Sequence, residues 1–419
     1  MVQMDPNSHT VVISRRAADR LRAGHPWVYV SDVEQRISAS KEIPPGALVA
    51  IIDAHGKFLG TALYSSTSQI ALRMLTPHAV NVREEFLDLL RVRLRRAIQM
   101  RLDGLGKTDD TDACRLVFGE ADMLPGIVLD RYGELVILQL LAQGTYIDDV
   151  RGVVVDVVRE MLAPAAILER PDPRIRELEQ LGAPPAAPLY VGTPDAPRLA
   201  TLFHLNGLRF HFDANAGQKT GAFLDQRENY LAAARHAHGR ALDICTYQGG
   251  FALHIARRCA QVTGVDASRP ALEVAEANRL ENRDHLLNHG DGVEWIEANA
   301  FDLLRDWADA GEQFDTIVLD PPAFAKSKRA VEGALRGYKE MNLRALQMLR
   351  PGGTLVTCSC SHHVSLADFQ AVVASAASDA GKRVRVLEIR GAAFDHPAIL
   401  TIPETQYLKC LVCQVDESG

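Results

Sequence analysis

The stretch Val356-Thr-Cys-Ser-Cys-Ser-His-His-Val364 places Cys358 and Cys360 two residues apart at the end of an apolar run, followed by His362 and His363. Three kinds of chemistry fit these residues: a thiol nucleophile, a metal site, or packing. Residues two apart on a strand share a face, so strand alternation does not separate the two cysteines. Their positions differ, however. Cys358 lies within Gly-Thr-Leu-Val-Thr-Cys, whereas Cys360 lies at the exit beside Ser361 and His362. Cys358 is expected to pack, as buried cysteines commonly do. Cys360 is the candidate nucleophile, reactive as a thiolate and dependent on cationic or hydrogen-bonding surroundings. Structural zinc prefers Cys pairs at C-x₂₋₄-C spacing with a second pair many residues away. A Cys-x-Cys-x-His-His strand end cannot wrap a tetrahedron unaided, and Cys410-x-x-Cys413 lies in an apolar final strand without a second pair nearby. No metal site is expected.

Four aspartates recur at the ends of apolar runs or just past them. Asp243 closes the run before a turn containing Tyr247, Gly249 and Gly250, after which Phe-Ala-Leu-His-Ile-Ala reads as a helix. Glycines let a backbone approach a ligand closely, and the following helix offers amide donors. Asp266 ends the next run, about twenty residues on, where an acid commonly grips ribose hydroxyls. Asp302 follows the third strand region; it suits either recognition of an adenine amine or an N-cap. Asp320 precedes Pro321 and Pro322, and two prolines after a strand force the chain to turn out. Such acids would sit at the carboxyl ends of a parallel sheet, where ligands bind.

The elements that position them read as three regions. Short apolar runs broken by turns over 1–76 predict a small β-barrel or sheet. Residues 83–102 carry Phe86, Leu89, Leu90, Leu94 and Ile98 at helical spacing, with arginines on the other face. Strand–turn–strand follows, then a helix near 147–162. The Pro-, Ala- and Gly-rich stretch 171–200 reads as a loop or hinge. From about 204, strands alternate with helices, which implies a parallel sheet covered on both faces. Two β-rich runs in the last 40 residues fit a terminal hairpin at a sheet edge.

Composition bounds the function. The 419 residues suit two or three domains, and 47% hydrophobic with 24% charged is ordinary for a soluble globular chain. No apolar run approaches the ~20 residues of a membrane span. The N-terminal stretch lacks the apolar core of a secretory signal, and seven scattered cysteines are not a disulfide framework. A cytoplasmic setting is expected. A net charge of −7 does not advertise nucleic-acid binding, so any basic face must be local.

The motif order resembles class I S-adenosylmethionine-dependent methyltransferases. Within them it is similar to the RlmI-type ribosomal RNA cytosine-C5 methyltransferases. The residues that carry the resemblance are Gly-His-Pro-Trp-Val-Tyr (24–29), RLVFGEADMLPGIVLDRYG (115–133), GQKTGAFLDQREN (217–229), LDICTYQGGF, DPPAFAKSK, SCSHH and FDHPAI (394–399). They span nearly the whole chain. The resemblance implies an α/β chain in three parts: a PUA-like RNA-binding β-barrel over 1–78, a middle α/β domain and linker over 79–200, and a Rossmann-like methyltransferase with a mostly parallel seven-stranded sheet over 201–419. It implies S-adenosylmethionine as cofactor, held by Asp243, Tyr247, Gly249, Asp266 and Asp302, with Lys219, Thr220, Asp225 and Gln226 in a segment closing over it. It aligns Cys360 with the nucleophile and puts Asp320 at a flipped base, with Pro321, Pro322 and Phe324 around that base.

The expected reaction is methyl transfer to C5 of a cytosine in ribosomal RNA, through a thiolate adduct at C6. Lys326, Lys328, Arg329, Arg336, Lys339 and Arg344 follow directly from the Asp-Pro-Pro loop and are read as phosphate contacts rather than a plain solvated face, with Lys326 and Lys328 taken as substrate-binding. The arginines of 91–101 either extend that track or form an ordinary helix surface, and Trp27 and Tyr29 either stack on bases or fill a core. Ribosomal RNA is the expected partner, with no membrane and a homodimer implied by the family. Other readings are transfer to uracil C5, guanine N7 or an exocyclic amine, and an inactive RNA-binding factor.

Overall fold

The computed structural model describes residues 9–38, 42–106, 110–170, 172–192, 199–214, 222–325 and 327–416. The first part is a six-stranded mixed sheet, in which His9–Ile13 pairs parallel with Leu48–Asp53 and antiparallel with Val33–Ile37. Alternation in Leu48–Asp53 turns Val49 and Ile51 into a core shared with Val11, Ile13, Val28 and Leu72.

The second part is a five-stranded sheet packed by the helices Arg83–Leu105 and Asp148–Leu162. Phe86, Leu90, Leu94 and Ile98 are fully buried at the predicted spacing, with Leu87 rather than Leu89 completing the stripe. One arginine breaks the expected polar face: Arg101 is 0% exposed. The stretch expected to be a loop contains the helix Pro173–Glu179. The Asp172 carboxylate accepts the amides of Arg174 and Ile175, and Pro173 opens the helix with a preset φ. That capping signal was masked by the surrounding Pro, Ala and Gly.

The third part begins with the antiparallel pair Ala200–Leu205 and Leu208–Asp213. Seven strands follow: β1 (Arg240–Ile244), β2 (Gln261–Asp266), β3 (Val293–Glu297), β4 (Phe314–Leu319), β5 (Leu349–Ser359), β6 (Val384–Arg390) and β7 (Lys409–Val415). Their spatial order is β3-β2-β1-β4-β5-β7-β6. The first five are parallel, and β7 runs antiparallel between β5 and β6. The terminal pair is therefore present, with β6 at the edge and the last strand inside. Strand order reverses between β1 and β4, which opens a crevice at their carboxyl ends. Buried on both faces, β4 and β5 read as apolar runs: Ile317, Val318, Leu319, Leu355 and Val356 lie in the core.

Asp395 ties the parts together. Its carboxylate accepts both guanidinium nitrogens of Arg227, at 2.9 and 3.2 Å, and the Arg115 amide at 2.9 Å. Its carbonyl accepts from Arg101, which also grips Asp122 at 2.6 and 2.8 Å. Arg227 belongs to the helix that precedes β1, whereas Arg101 and Arg115 belong to the middle part. Among the described residues no helix is long and apolar enough to cross a membrane.

Candidate active site

The chain leaving β1 is bent by left-handed backbone at Cys245 (φ 63°), Tyr247 (φ 52°) and Gly249 (φ 83°). For non-glycine residues each such position costs about 1–3 kcal/mol, so the surroundings must hold it. Two acids do this. Asp243 Oδ2 accepts the Thr246 hydroxyl at 2.6 Å and the Ala252 amide at 2.9 Å. Asp266 accepts the Tyr247 and Ser268 amides, each at 2.9 Å. One first-turn amide of the helix Gly250–Ile255 is thus taken by Asp243 rather than offered outward.

Glycine is required at the bend. A Cβ on Gly249 would lie 3.0 Å from the Trp295 ring, and one on Gly250 would lie 2.6 Å from the Tyr230 hydroxyl. Asp243 Oδ1 is buried with no hydrogen-bond partner in the chain. Burial pushes the Asp243 carboxyl up to about 7, against the pull of its Thr246 and Ala252 bonds. An orphaned acceptor, a half-buried carboxylate at the end of β2 and a bend closed by two glycines suit a ligand bearing hydroxyls and a cationic amine. S-adenosylmethionine has both, so these residues fit it.

Other expected cofactor residues lie differently. Asn299, not Asp302, caps the helix Ala300–Asp309, accepting the Phe301 and Asp302 amides. Asp302 is exposed and paired with Arg305 at 2.7 Å. Lys219 and Thr220 lie outside the described residues. Asp225 and Gln226, on the turn Leu224–Gln226, join the catalytic cluster: Asp225 accepts the Tyr407 hydroxyl at 2.6 Å, and Gln226 Nε2 donates to Asp320 at 2.9 Å. Asn229, fully buried, donates to Gln226 Oε1 at 2.6 Å and fixes the amide so that its nitrogen faces Asp320.

Asp320 follows β4 at the crevice. Burial and the nearby Asp225 and Asp243 carboxylates push its carboxyl up to about 8, so it holds a proton at neutral pH. Pro321 is buried and Pro322 exposed. The Cys360 thiol, half-buried one residue past β5, donates to the Pro321 carbonyl at 3.8 Å. The candidate nucleophile and the Asp-Pro-Pro turn therefore meet. Cys358 is fully buried, opposite Cys410 on β7. Burial, Cys410 and Asp320 push its thiol well above the usual range, which makes it a poor nucleophile.

The turn after β5 is held from three sides. Ser361 Oγ accepts the Ala325 amide at 3.1 Å and lies 2.9 Å from the Tyr338 hydroxyl. The buried Lys409 donates to the carbonyls of Ser361, Val364 and Tyr407. Lys409, Tyr407 and Asn229 were not singled out in the sequence. A lysine heading the otherwise apolar run Cys-Leu-Val-Cys was the available signal.

The expected RNA contacts divide. Phe324 is half-buried against Tyr338 and Phe301, at ring-centroid distances of 4.7 and 5.8 Å. Arg336, Lys339 and Arg344 pair with Glu332, Asp379 and Glu340, while Lys328 and Arg329 stay exposed. Lys326 lies outside the described residues. On the helix Arg83–Leu105, Arg91 and Arg95 pair with acids and Arg93 donates to the Leu75 and Met123 carbonyls. Trp27 donates to Glu120, and Arg20 lies over the Tyr29 ring. No group of three or more potential metal ligands occurs among the described residues.

The reversed strand order, the glycine bend and the acids at the ends of β1, β2 and β4 define a class I S-adenosylmethionine-dependent methyltransferase. Residues 196–389 match the S-adenosylmethionine-dependent methyltransferase family and residues 11–77 a PUA-like domain. The fold is shared with a SAM-dependent methyltransferase structure from Streptococcus mutans, at TM-score 0.78, 19% identity, 97% of this chain and 100% of that one. "Ribosomal RNA large subunit methyltransferase I" of Salmonella arizonae is 36% identical over 414 residues, 98% of each chain, and that of Cronobacter sakazakii 37% over 409 residues, 97% of this chain and 99% of the relative. The chain belongs to this family of large-subunit ribosomal RNA methyltransferases.

Proposed function

We propose that the chain methylates C5 of a cytosine in large-subunit ribosomal RNA through a covalent bond between Cys360 and C6. The meeting of the Cys360 thiol with the Asp320-Pro321 turn, while Cys358 is sealed in the core, supports this reading most directly. Bound S-adenosylmethionine supplies an electrophilic methyl group, which an unactivated pyrimidine C5 is too weakly nucleophilic to take. The Cys360 thiolate adds to C6, forming the S–C6 bond and moving the ring electrons toward C5. Asp320, protonated, donates at N3 and stabilises the electrons that accumulate in the ring. After transfer, a base takes the C5 proton, the C5–H electrons re-form the C5–C6 double bond and expel the Cys360 thiolate from C6, and N3 returns its proton to Asp320.

Asp243, Tyr247, Gly249 and Asp266 hold the cofactor in this reading, with Asp302 reaching it only from the surface. The target base must leave its stack to reach Cys360. Pro321 and Pro322 wall its site, and the exposed Lys328 contacts phosphate. The PUA-like region supplies further RNA contact. Action on ribosomal RNA implies a cytoplasmic enzyme, and the family resemblance supports a homodimer.

The test is nucleoside mass spectrometry of large-subunit RNA treated with wild-type, Cys360→Ala and Cys358→Ala proteins. The expected result is 5-methylcytidine with wild type and Cys358→Ala and none with Cys360→Ala. Full activity in Cys360→Ala would favour transfer to a ring nitrogen or exocyclic amine.

A further inference from the structure

Lys409 heads β7 opposite Ser359, the last residue of β5. It is 6% exposed. A lysine ammonium has three N–H donors, and all three are used here: on the Ser361 carbonyl at 2.7 Å, the Val364 carbonyl at 2.8 Å and the Tyr407 carbonyl at 2.8 Å. Ser361 and Val364 bracket the turn that begins one residue after Cys360. No carboxylate lies within ion-pairing distance of Lys409 among the described residues; all three acceptors are neutral. Burying an ammonium without a counter-ion is costly, and natural chains rarely tolerate it.

We propose that Lys409 is a positioning residue for the nucleophile, pinning the turn that directly follows Cys360 and supplying the positive charge that stabilises the Cys360 thiolate. This rests on the reading of Cys360 as nucleophile. Burial lowers the Lys409 ammonium to about 8, while the Cys360 sulfur favours its charged form. Ammonium and thiolate therefore stabilise each other.

The other titratable groups facing this pair do not replace Lys409. Tyr407, before β7, is bonded to Asp225, and burial and that carboxylate raise its hydroxyl well above the usual range. Tyr338, from the helix Val331–Met348, is raised by burial and pairs with Ser361 Oγ. His362, in the turn itself, is lowered by burial and by the Lys409 charge, which keeps it neutral near pH 7. His363 and Glu404 adjoin His362. Asp320, across the cleft, is protonated at neutral pH. Arg115, beyond Tyr407, is paired with Asp130, and among the described residues Lys409 is the cation whose charge acts on the Cys360 sulfur.

The test is the rate of Cys360 alkylation by iodoacetamide as a function of pH, read by peptide mass spectrometry on the full chain. In wild type the apparent thiol pKa is expected at least one unit below the ~8.5 of free cysteine. Lys409→Met should raise it by a unit or more, slowing alkylation at pH 7 about tenfold, and Lys409→Arg should restore part of the shift. A wild-type Cys360 that titrates at or above free cysteine overturns the proposal without any variant. So does a folded Lys409→Met protein with an unchanged profile. Methyl transfer by Cys360→Ala separates the two claims: if it persists, the covalent reading fails; if it is lost while Lys409→Met leaves the thiol unchanged, only the role of Lys409 fails.

Discussion

At the residue scale, the proposed mechanism rests on two groups with opposite protonation needs. In that mechanism Cys360 loses its proton and Asp320 keeps one. With Asp320 raised to about 8, activity should decline as pH rises through about 8, measured as the initial rate of methyl transfer at saturating RNA. Asp320→Asn should lower that rate by about 100-fold or more, because the amide has no acidic proton to give to N3. The same substitution should stabilise the protein at alkaline pH. A carboxyl whose folded value lies above its unfolded 3.8 stabilises the fold below pH 4 and loses that contribution as pH rises through about 8. The melting temperature of Asp320→Asn relative to wild type should therefore climb between pH 4 and 8 and then level. The placement of Cys360 and Asp320 at neighbouring strand exits was legible in the sequence because each follows an apolar run. Lys409 was not, because its role depends on β7 inserting beside β5, a pairing between distant segments that local pattern does not encode.

At the element scale, the bend after β1 is the most constrained feature. Asp243 and Asp266 recognise its backbone as much as any ligand, so acids expected only to bind cofactor also build the site. Gly249→Ala forces a side chain into left-handed backbone against Trp295, at a cost of roughly 1–3 kcal/mol. Gly250→Ala drives a methyl into Tyr230. Both variants should bind S-adenosylmethionine at least tenfold more weakly by calorimetry, while keeping the far-ultraviolet circular dichroism of a folded chain. The alternation of strands and helices was readable because parallel buried strands are continuous apolar runs. The Pro173–Glu179 helix was not, because one capping turn carries less weight than 30 residues of loop-like composition. Asp302 was misplaced as a possible cap because Asn299, three residues earlier, took that position.

At the scale of the whole molecule, Asp395 joins the middle part to the catalytic part through Arg227, Arg115 and Arg101. Its Arg227 and His396 partners hold its carboxyl well below the ordinary range, against the cost of burial. Asp395→Asn would leave the buried Arg227 with only the partly exposed Glu228 carboxylate at 3.8 Å, at a cost of about 3 kcal/mol by denaturant unfolding at pH 7. A carboxyl depressed in the folded state stabilises above its unfolded value and loses that effect as pH falls through its folded one. The difference from wild type should therefore shrink below pH 4. The sequence singled out Phe-Asp-His-Pro as a motif but not its purpose, because its partners lie some 170 to 290 residues away.

The covalent mechanism is tested most directly with large-subunit RNA containing 5-fluorocytidine, incubated with the protein and S-adenosylmethionine. Fluorine at C5 cannot leave as a proton, so the C6–S bond should persist as a protein–RNA adduct on denaturing gels. Peptide mass spectrometry should place that adduct on Cys360 and not on Cys358. An absence of adduct, under conditions where unsubstituted RNA is methylated, would contradict the Cys360 mechanism.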